Sequence, residues 1–295
     1  MACSGCGCTL NTDDAVLGNP AGWHVDERVD FINQNVLQIG GNKAPTQDPS
    51  SVEVQKYTMT IFYTTTIDYQ SDQPWGINVA VPVQYRIHAT ANDMTDWTES
   101  KSSWNDLSDI RVLGRYSGLT EDRDIGLQAG FKLPTGRSDE KFTRGDASVI
   151  GQTVDRGLQP GTGTWDLLLG AYKNGHLTGD FHWFATGQWQ KPLAQFKQFA
   201  EGQKLTGTVG VRYTAFETIV PQVQLNAQDR WRDRGAQADI PNSGGQVVYV
   251  SPGLFVNVQD DLSLYAFVQL PVYQHVGGLE LVSDYTASVG AKYKF

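Results

Sequence analysis

The sequence predicts an all-β fold: a closed antiparallel transmembrane β-barrel of about 12 strands, with both termini periplasmic. Three observations predict it. The carboxy-terminal strand ends on an aromatic residue, the same alternation recurs upstream, and the connections alternate between short and long.

In the last strand, Tyr285, Ala287, Val289, Ala291, Tyr293 and Phe295 share one parity. Thr286, Ser288, Gly290, Lys292 and Lys294 share the other. Successive side chains of a strand point to opposite faces, so this segment has an apolar face and a polar one. A barrel wall needs that pattern, with lipid outside and a polar lumen inside. Tyr293 and the terminal Phe295 resemble the signal by which bacterial barrels are recognised by the assembly machinery.

Upstream, Ile77, Val79, Val81, Val83, Tyr85 and Ile87 form a second apolar row, and Leu262, Leu264, Ala266, Val268, Leu270 and Val272 a third. Strands are expected near 22–40, 52–70, 76–91, 107–118, 125–136, 164–174, 180–193, 204–215, 219–231, 246–259, 262–276 and 281–295. Short connections such as Phe216–Thr218 and Asp260–Asp261 alternate with long ones, Gly41–Ser51, Asn92–Asp106, Arg137–Gly163 and Trp231–Gly245. Short periplasmic turns and longer external loops are the expected asymmetry of an outer-membrane barrel. Pro82, Pro252 and Pro271 fall inside expected strands, where each removes a ladder donor; bulges or local breaks are expected there.

Composition narrows the classes. Charged residues are 19% of the 295, aromatics 11%, and mean hydropathy is −0.36. No apolar run approaches the roughly 18 residues that a spanning helix needs. The net charge of −9 argues against nucleic acid, which demands basic patches. Residues 1–21 are expected to form a periplasmic segment and residues 22–295 the barrel. Met1 and Ala2 lead straight into a cysteine motif, which is expected to stand at a mature amino terminus.

That motif is CxxCxC, Cys3, Cys6 and Cys8, which are the chain's three cysteines. Three readings stand side by side: a soft-metal site for Cu or Zn, a disulfide with one thiol left over, or a lipid-modified Cys3. Parity assigns Asp26, Arg28, Asp30, Asp68, Arg86, His88, Asp109, Arg111, Arg115, Lys132, Asp166, Arg212, Lys292 and Lys294 to the lumen. Phe62, Tyr265, Phe267 and Tyr273 are the aromatic candidates for a path through it. Mixed charge in a narrow barrel reads either as a salt-bridged filling or as a polar constriction. The loop Arg137–Gly163 is long enough to fold inward. No catalytic residues are expected: His182 has no serine in its strand, and nothing resembles an activated nucleophile.

Three segments resemble a known family. They are the block VVYVSPGLFVNVQDDLSLYAFVQLPVYQHVGGLELVSDYTASVGAKYKF, GFKLPTG at 130–136 with QPGTGTWD at 159–166, and CSGCGCTLNTD leading into DERVDFINQNVLQIG. Together they resemble the phenol-degradation meta-pathway family of bacterial outer-membrane transporters. The family usually carries Ser-Ser-Asp-Trp after the cysteines and an Arg-rich start to its first strand. Here the corresponding positions read Asn11, Thr12, Asp13, Asp14 and Val25 to Val29. The resemblance implies passage of small molecules, aromatic ones among them.

The expectation is therefore a porin-like passive conduit in the bacterial outer membrane, in contact with lipid and lipopolysaccharide. The alternative is a structural barrel whose cysteine-bearing amino terminus docks a metal or a periplasmic component.

Overall fold

The computed structural model describes residues 10–12, 21–44, 54–91 and 99–295. Its strands are β1 (Gly22–Ile39), β2 (Asn42–Lys43), β3 (Val54–Gln70), β4 (Trp75–Ala91), β5 (Glu99–Leu107), β6 (Arg111–Tyr116) and β7 (Ile125–Lys132), then β8 (Asp166–Thr178), β9 (Phe181–Pro192), β10 (Lys204–Tyr213), β11 (Ile219–Arg230), β12 (Gly245–Asn257), β13 (Leu262–Val276) and β14 (Leu279–Lys294). The strands pair antiparallel in the order β1-β3-β4-β6-β7-β8-β9-β10-β11-β12-β13-β14, with β2 also on β1 and β5 on β4, and β14 returns to pair with β1 from His24↔Lys294 to Ile39↔Leu279. The sheet is closed. β5 and β6 both pair with β4 and together make one interrupted wall strand, giving a barrel of 12 wall strands among the described residues.

Alternation along each strand decides what faces where. The outer face is an apolar belt that includes Val209 on β10, Val223 and Leu225 on β11, Val268 and Leu270 on β13 and Val289 on β14, all exposed. Their neighbours of opposite parity, such as Thr208, Gln222, Gln224, Gln269 and Ser288, are buried inside. An apolar surface that encircles the molecule is an aggregation hazard in water and the solvated face in a bilayer.

Aromatic rings ring the belt at both ends. At the end holding the termini and short turns, Trp23 packs on Tyr69 at 4.8 Å, Phe181 on Tyr213 at 4.7 Å and Tyr293 on Phe295 at 4.8 Å between centroids. At the long-loop end, Phe131 meets Trp165 at 6.1 Å. Amphipathic rings at both interfaces are the signature of a membrane-spanning barrel. The protein is an outer-membrane β-barrel.

The strand expectations hold to within a few residues at their ends, with two additions: the two-residue β2 inside the expected connection Gly41–Ser51, and β5. β5 lies where the sequence predicted the loop Asn92–Asp106. Its buried parity is Ser100, Ser102 and Trp104, and its outward parity includes the exposed Ser103 and Asn105. No apolar row marks this strand, so hydrophobic alternation cannot reveal it.

The prolines act as expected, in three different ways. At Pro82, β4 changes partner from β6 to β5, and the Pro82 carbonyl accepts from Ser108 N at 2.8 Å. At Pro252 the pairing with β13 lapses between Val250↔Leu270 and Gly253↔Phe267. Beside Pro271 a bulge shifts the register, since Tyr249 pairs with Pro271 but Val248 with Tyr273. Pairing of β13 with β14 also ends at Gln269↔Thr286, just before this proline. In β1, where the ladder to β14 shifts around Gln34, the Gln34 side chain donates to Leu281 O at 2.9 Å.

Two measurements check the architecture. Val81→Arg places a charge on the lipid face about halfway up β4 and is expected to destabilise by about 2–4 kcal/mol. Gln188→Arg on the inner face is expected to be tolerated, and urea unfolding in lipid vesicles compares the two. Phe295 donates its backbone N to Trp23 O at 2.9 Å, tying the carboxy terminus to β1. Deleting it is expected to reduce the heat-modifiable, membrane-inserted fraction; normal yield would contradict the assembly role.

Candidate conduction path

The lumen is built in three tiers. Towards the short turns, Leu10, Tyr172, Phe184, Phe255, Tyr265 and Phe267 form an apolar cluster. Leu10 belongs to Leu10–Thr12, which lies inside the barrel. Asn11 N donates to Gln224 Oε1 at 3.2 Å, and Gln224 Nε2 returns a bond to Asn11 O at 2.8 Å. Thr12 Oγ1 donates to Asp26 at 3.2 Å, and Lys292 Nζ donates to the Thr12 carbonyl. Polar groups buried away from water need such partners, which is why the segment is held by both main chain and side chain.

Towards the long loops, residues 137–163 fold inward. Val154 and Leu158 are buried against Trp104 and Leu281, and Arg86 Nη1 donates to Leu158 O at 2.6 Å. Phe142 of the same loop packs on the His88 ring at 6.2 Å. The two quoted motifs, GFKLPTG and QPGTGTWD, meet at the base of this loop. A Cβ on Gly136 would stand 2.7 Å from Gly161 Cα, so neither position accepts a side chain without moving backbone. Asp109 locks the crossing, accepting from Lys132 Nζ at 2.7 Å, Gly136 N at 3.0 Å, Thr162 N at 3.0 Å and Thr162 Oγ1 at 3.1 Å. Lys132 also stands 3.3 Å from Asp166.

Between these tiers lies a cavity of about 410 Å³. Among the described residues it is lined by the cations Arg28, Arg86, Arg111, Lys132, Arg156 and Lys204 against the carboxylates Asp30, Asp109 and Glu201. Its remaining wall is amide and hydroxyl on one side, with Gln188, Gln190, Thr206 and Gln228, and mixed on the other, where Phe62, Ala80, Pro82 and Leu113 alternate with Thr64, Thr66 and Gln84. Three ion pairs offset part of the charge: Arg28–Asp30 at 2.9 Å, Lys132–Asp109 at 2.7 Å and Lys204–Glu201 at 3.3 Å. Burial alone would raise the Glu201 carboxyl, but Lys204, Lys132 and Arg230 outweigh it and hold it near 2. Arg156 is pushed below its ordinary value by burial in the folded loop. Its guanidinium lies 5.3 Å from the Phe199 ring, a cation–π contact.

The candidate residues read from the sequence divide clearly. Arg86, Arg111 and Lys132 line this one cavity. Arg115 is buried elsewhere, gripping Asp68 through both terminal nitrogens at 2.5 and 2.7 Å. His88 is buried and paired with Thr58 Oγ1 at 2.8 Å. Arg212 is half-buried, with His182 and Gln222 as its cross-strand neighbours. Tyr265 and Phe267 belong to the apolar cluster, and Tyr265 donates to Asp26 at 2.7 Å. Tyr293 and Phe295 lie on the outer aromatic belt, Phe295 being 72% exposed.

Tyr273 is a correction. It was expected to line the lumen, but it is 48% exposed on the outer side. The bulge beside Pro271 inserts one residue into β13, and a one-residue slip reverses every later side chain. The readings for Cys3, Cys6 and Cys8 lie outside the described residues.

Several lining residues were not singled out from the sequence. Gln188 and Gln190 on β9, Thr206 on β10 and Gln228 on β11 alternate with outward apolar residues, so parity carried the signal. Arg156 and Glu201 sit in loops, where no period exists to reveal them.

With the geometry in hand, the class is an outer-membrane β-barrel of 12 wall strands among the described residues. No protein-family model and no curated protein matches the chain. Among solved structures it is similar to an outer membrane channel from Pseudomonas putida F1, with a TM-score of 0.69 and 11% identity over 97% of this chain and 100% of that one. It is also similar to the beta domain of the Bordetella autotransporter BrkA, at TM-score 0.52 and 10% identity over 93% of this chain and 100% of that one. The transport unit of the autotransporter AIDA-I from Escherichia coli gives TM-score 0.52 and 9% identity over 97% and 93% of the two chains. At these identities the likeness is one of fold.

Asp109 supplies the test of the loop. Asp109→Ala leaves Lys132 with a single carboxylate and frees the Gly136–Thr162 crossing. Removing one partner of a buried pair is expected to destabilise by about 3 kcal/mol. Limited proteolysis should then cut residues 137–163 faster than in the parent chain.

Proposed function

We propose that the chain is a passive outer-membrane conduit for small molecules, aromatic compounds among them, with both termini on the periplasmic side. The observation that supports this best is the cavity of about 410 Å³ at mid-lumen, large enough for a small solute and lined mostly by polar and charged groups. A purely structural barrel has no need to keep such a space, because buried ions are most stable when fully paired and packed. The inward loop and Leu10–Thr12 narrow the route at either end, which suits a restricted path over a wide pore. The aromatic expectation draws on the family resemblance and on Phe62 and Leu113 at the cavity wall. Lipid, lipopolysaccharide and the barrel-assembly machinery are the partners this reading implies.

Planar bilayers test it. The purified full-length chain is expected to give small, stepwise conductance that rises when residues 140–158 are deleted. A barrel that stays closed in both forms would favour the structural reading instead.

A further inference from the structure

The charge inside the barrel has the opposite sign to the charge of the chain. The protein carries a net −9, yet the mid-lumen cavity presents six cationic side chains and three carboxylates among the described residues. Three guanidinium groups, those of Arg86, Arg111 and Arg156, make no ion pair among the described residues and bond neutral oxygens, although Asp166, Glu201 and Asp109 act on Arg111 from further off. Arg86 bonds Thr60 Oγ1 at 2.8 Å and the Leu158 carbonyl, and Arg156 bonds the Ser138 and Thr162 carbonyls at 2.7 and 3.1 Å. Arg111 is held most loosely, by one bond to Gln190 Oε1 at 3.4 Å. A guanidinium has five N–H donors in a fork matched to a carboxylate, so Arg111 has most of its capacity in hand.

Strand register places an apolar patch beside it. Ala80 pairs directly with Arg111, and Leu113 follows two residues along the same inner face of β6. On β4 and β3, Pro82 and Phe62 extend the patch towards Arg86, which pairs with Thr60; their cross-strand partners on this face are Thr64 and Gln84. The cavity therefore joins a guanidinium with spare donors, two further cations that set the local field, and a wall where Phe62, Ala80, Pro82 and Leu113 alternate with hydroxyl and amide groups.

We infer that this cavity is a binding site for small organic carboxylates, with Arg111 receiving the carboxylate and Phe62, Ala80, Pro82 and Leu113 covering the apolar body. The site deepens the conduit reading and rests on it for the route by which the anion enters. The alternative of a general cation path is disfavoured by the same charges, since like-charge approach in a low-dielectric lumen is costly. Lys132 and Lys204 are committed to Asp109, Asp166 and Glu201 and serve to hold the wall.

The test uses the full-length chain in detergent, with benzoate, benzyl alcohol and benzylamine as probes of one ring size and three charges. Calorimetry is expected to show benzoate binding about tenfold or more tightly than benzyl alcohol, the scale of a charge-assisted hydrogen bond. Benzylamine should bind most weakly. Arg111→Gln is expected to remove the preference for benzoate while leaving benzyl alcohol unchanged. Arg111→Lys keeps the charge without the fork, and should retain part of the preference; it serves as the second variant if heat-modifiability shows the first to be misfolded. In bilayers the reversal potential under a KCl gradient should report anion selectivity, diminished in Arg111→Gln. Equal binding of benzoate and benzyl alcohol, or indifference to both substitutions, overturns the inference. Conductance without benzoate preference also overturns it, and leaves the conduit reading standing. Benzoate binding in a barrel that never conducts supports the site and overturns the conduit reading alone.

Discussion

The structure depends on the pairing of β14 with β1. A bilayer core offers no water to unpaired backbone groups, so a sheet can cross it only if it has no edges. Closure from His24↔Lys294 to Ile39↔Leu279 removes the last two edges. Where the ladder slips, near Gln34, a side-chain amide donates to the Leu281 carbonyl. The Phe295 bond to Trp23 extends the same seam to the end of the chain.

Closure also dictates the interior. Once the apolar parity is committed to lipid, every strand must turn its polar parity inward, and those groups need partners in a space with little water. The chain meets this by networks at each tier. Asp68 with Arg115, Asp26 with Thr12 and Tyr265, and Asp109 with Lys132 each join strands or loops that are distant in sequence. The inward loop belongs to the same account. Its carbonyls, such as Leu158 O, accept from Arg86, and its apolar residues Val154 and Leu158 find cover against Trp104 and Leu281.

How much of this was legible follows from the period of a strand. Alternation located the wall strands because lipid on one side and polar lumen on the other imprint a two-residue repeat. β5 escaped because serines and a tryptophan fill its inner parity and polar residues its outer one, so no hydrophobic contrast exists. Tyr273 was misassigned because parity counting assumes an unbroken ladder, whereas Pro271 breaks it and the bulge reverses the face. The prolines were visible, but which would bulge and which would merely change partner depends on neighbouring strands. The same limit applies to the site: Arg86, Arg111 and Lys132 were found by parity, while Arg156 and Glu201 reach the cavity through loop folding that no local pattern encodes.

Net charge misleads in a barrel for a related reason. An acidic chain of −9 suggests a protein that repels anions, but a solute in the lumen responds to the nearby side chains far more than to the total. Many of the acidic groups lie on turns and loops in contact with water, as Glu121, Asp122, Asp139 and Asp260 do, where solvent and salt screen them within about 10 Å. The groups that line the cavity are screened much less, because protein and lipid surround them on every side. Segregation of the two populations follows from the strands themselves, which present one parity to the lumen. An acidic outer membrane barrel can therefore hold a cationic interior without contradiction, and selectivity has to be argued from the lining, residue by residue.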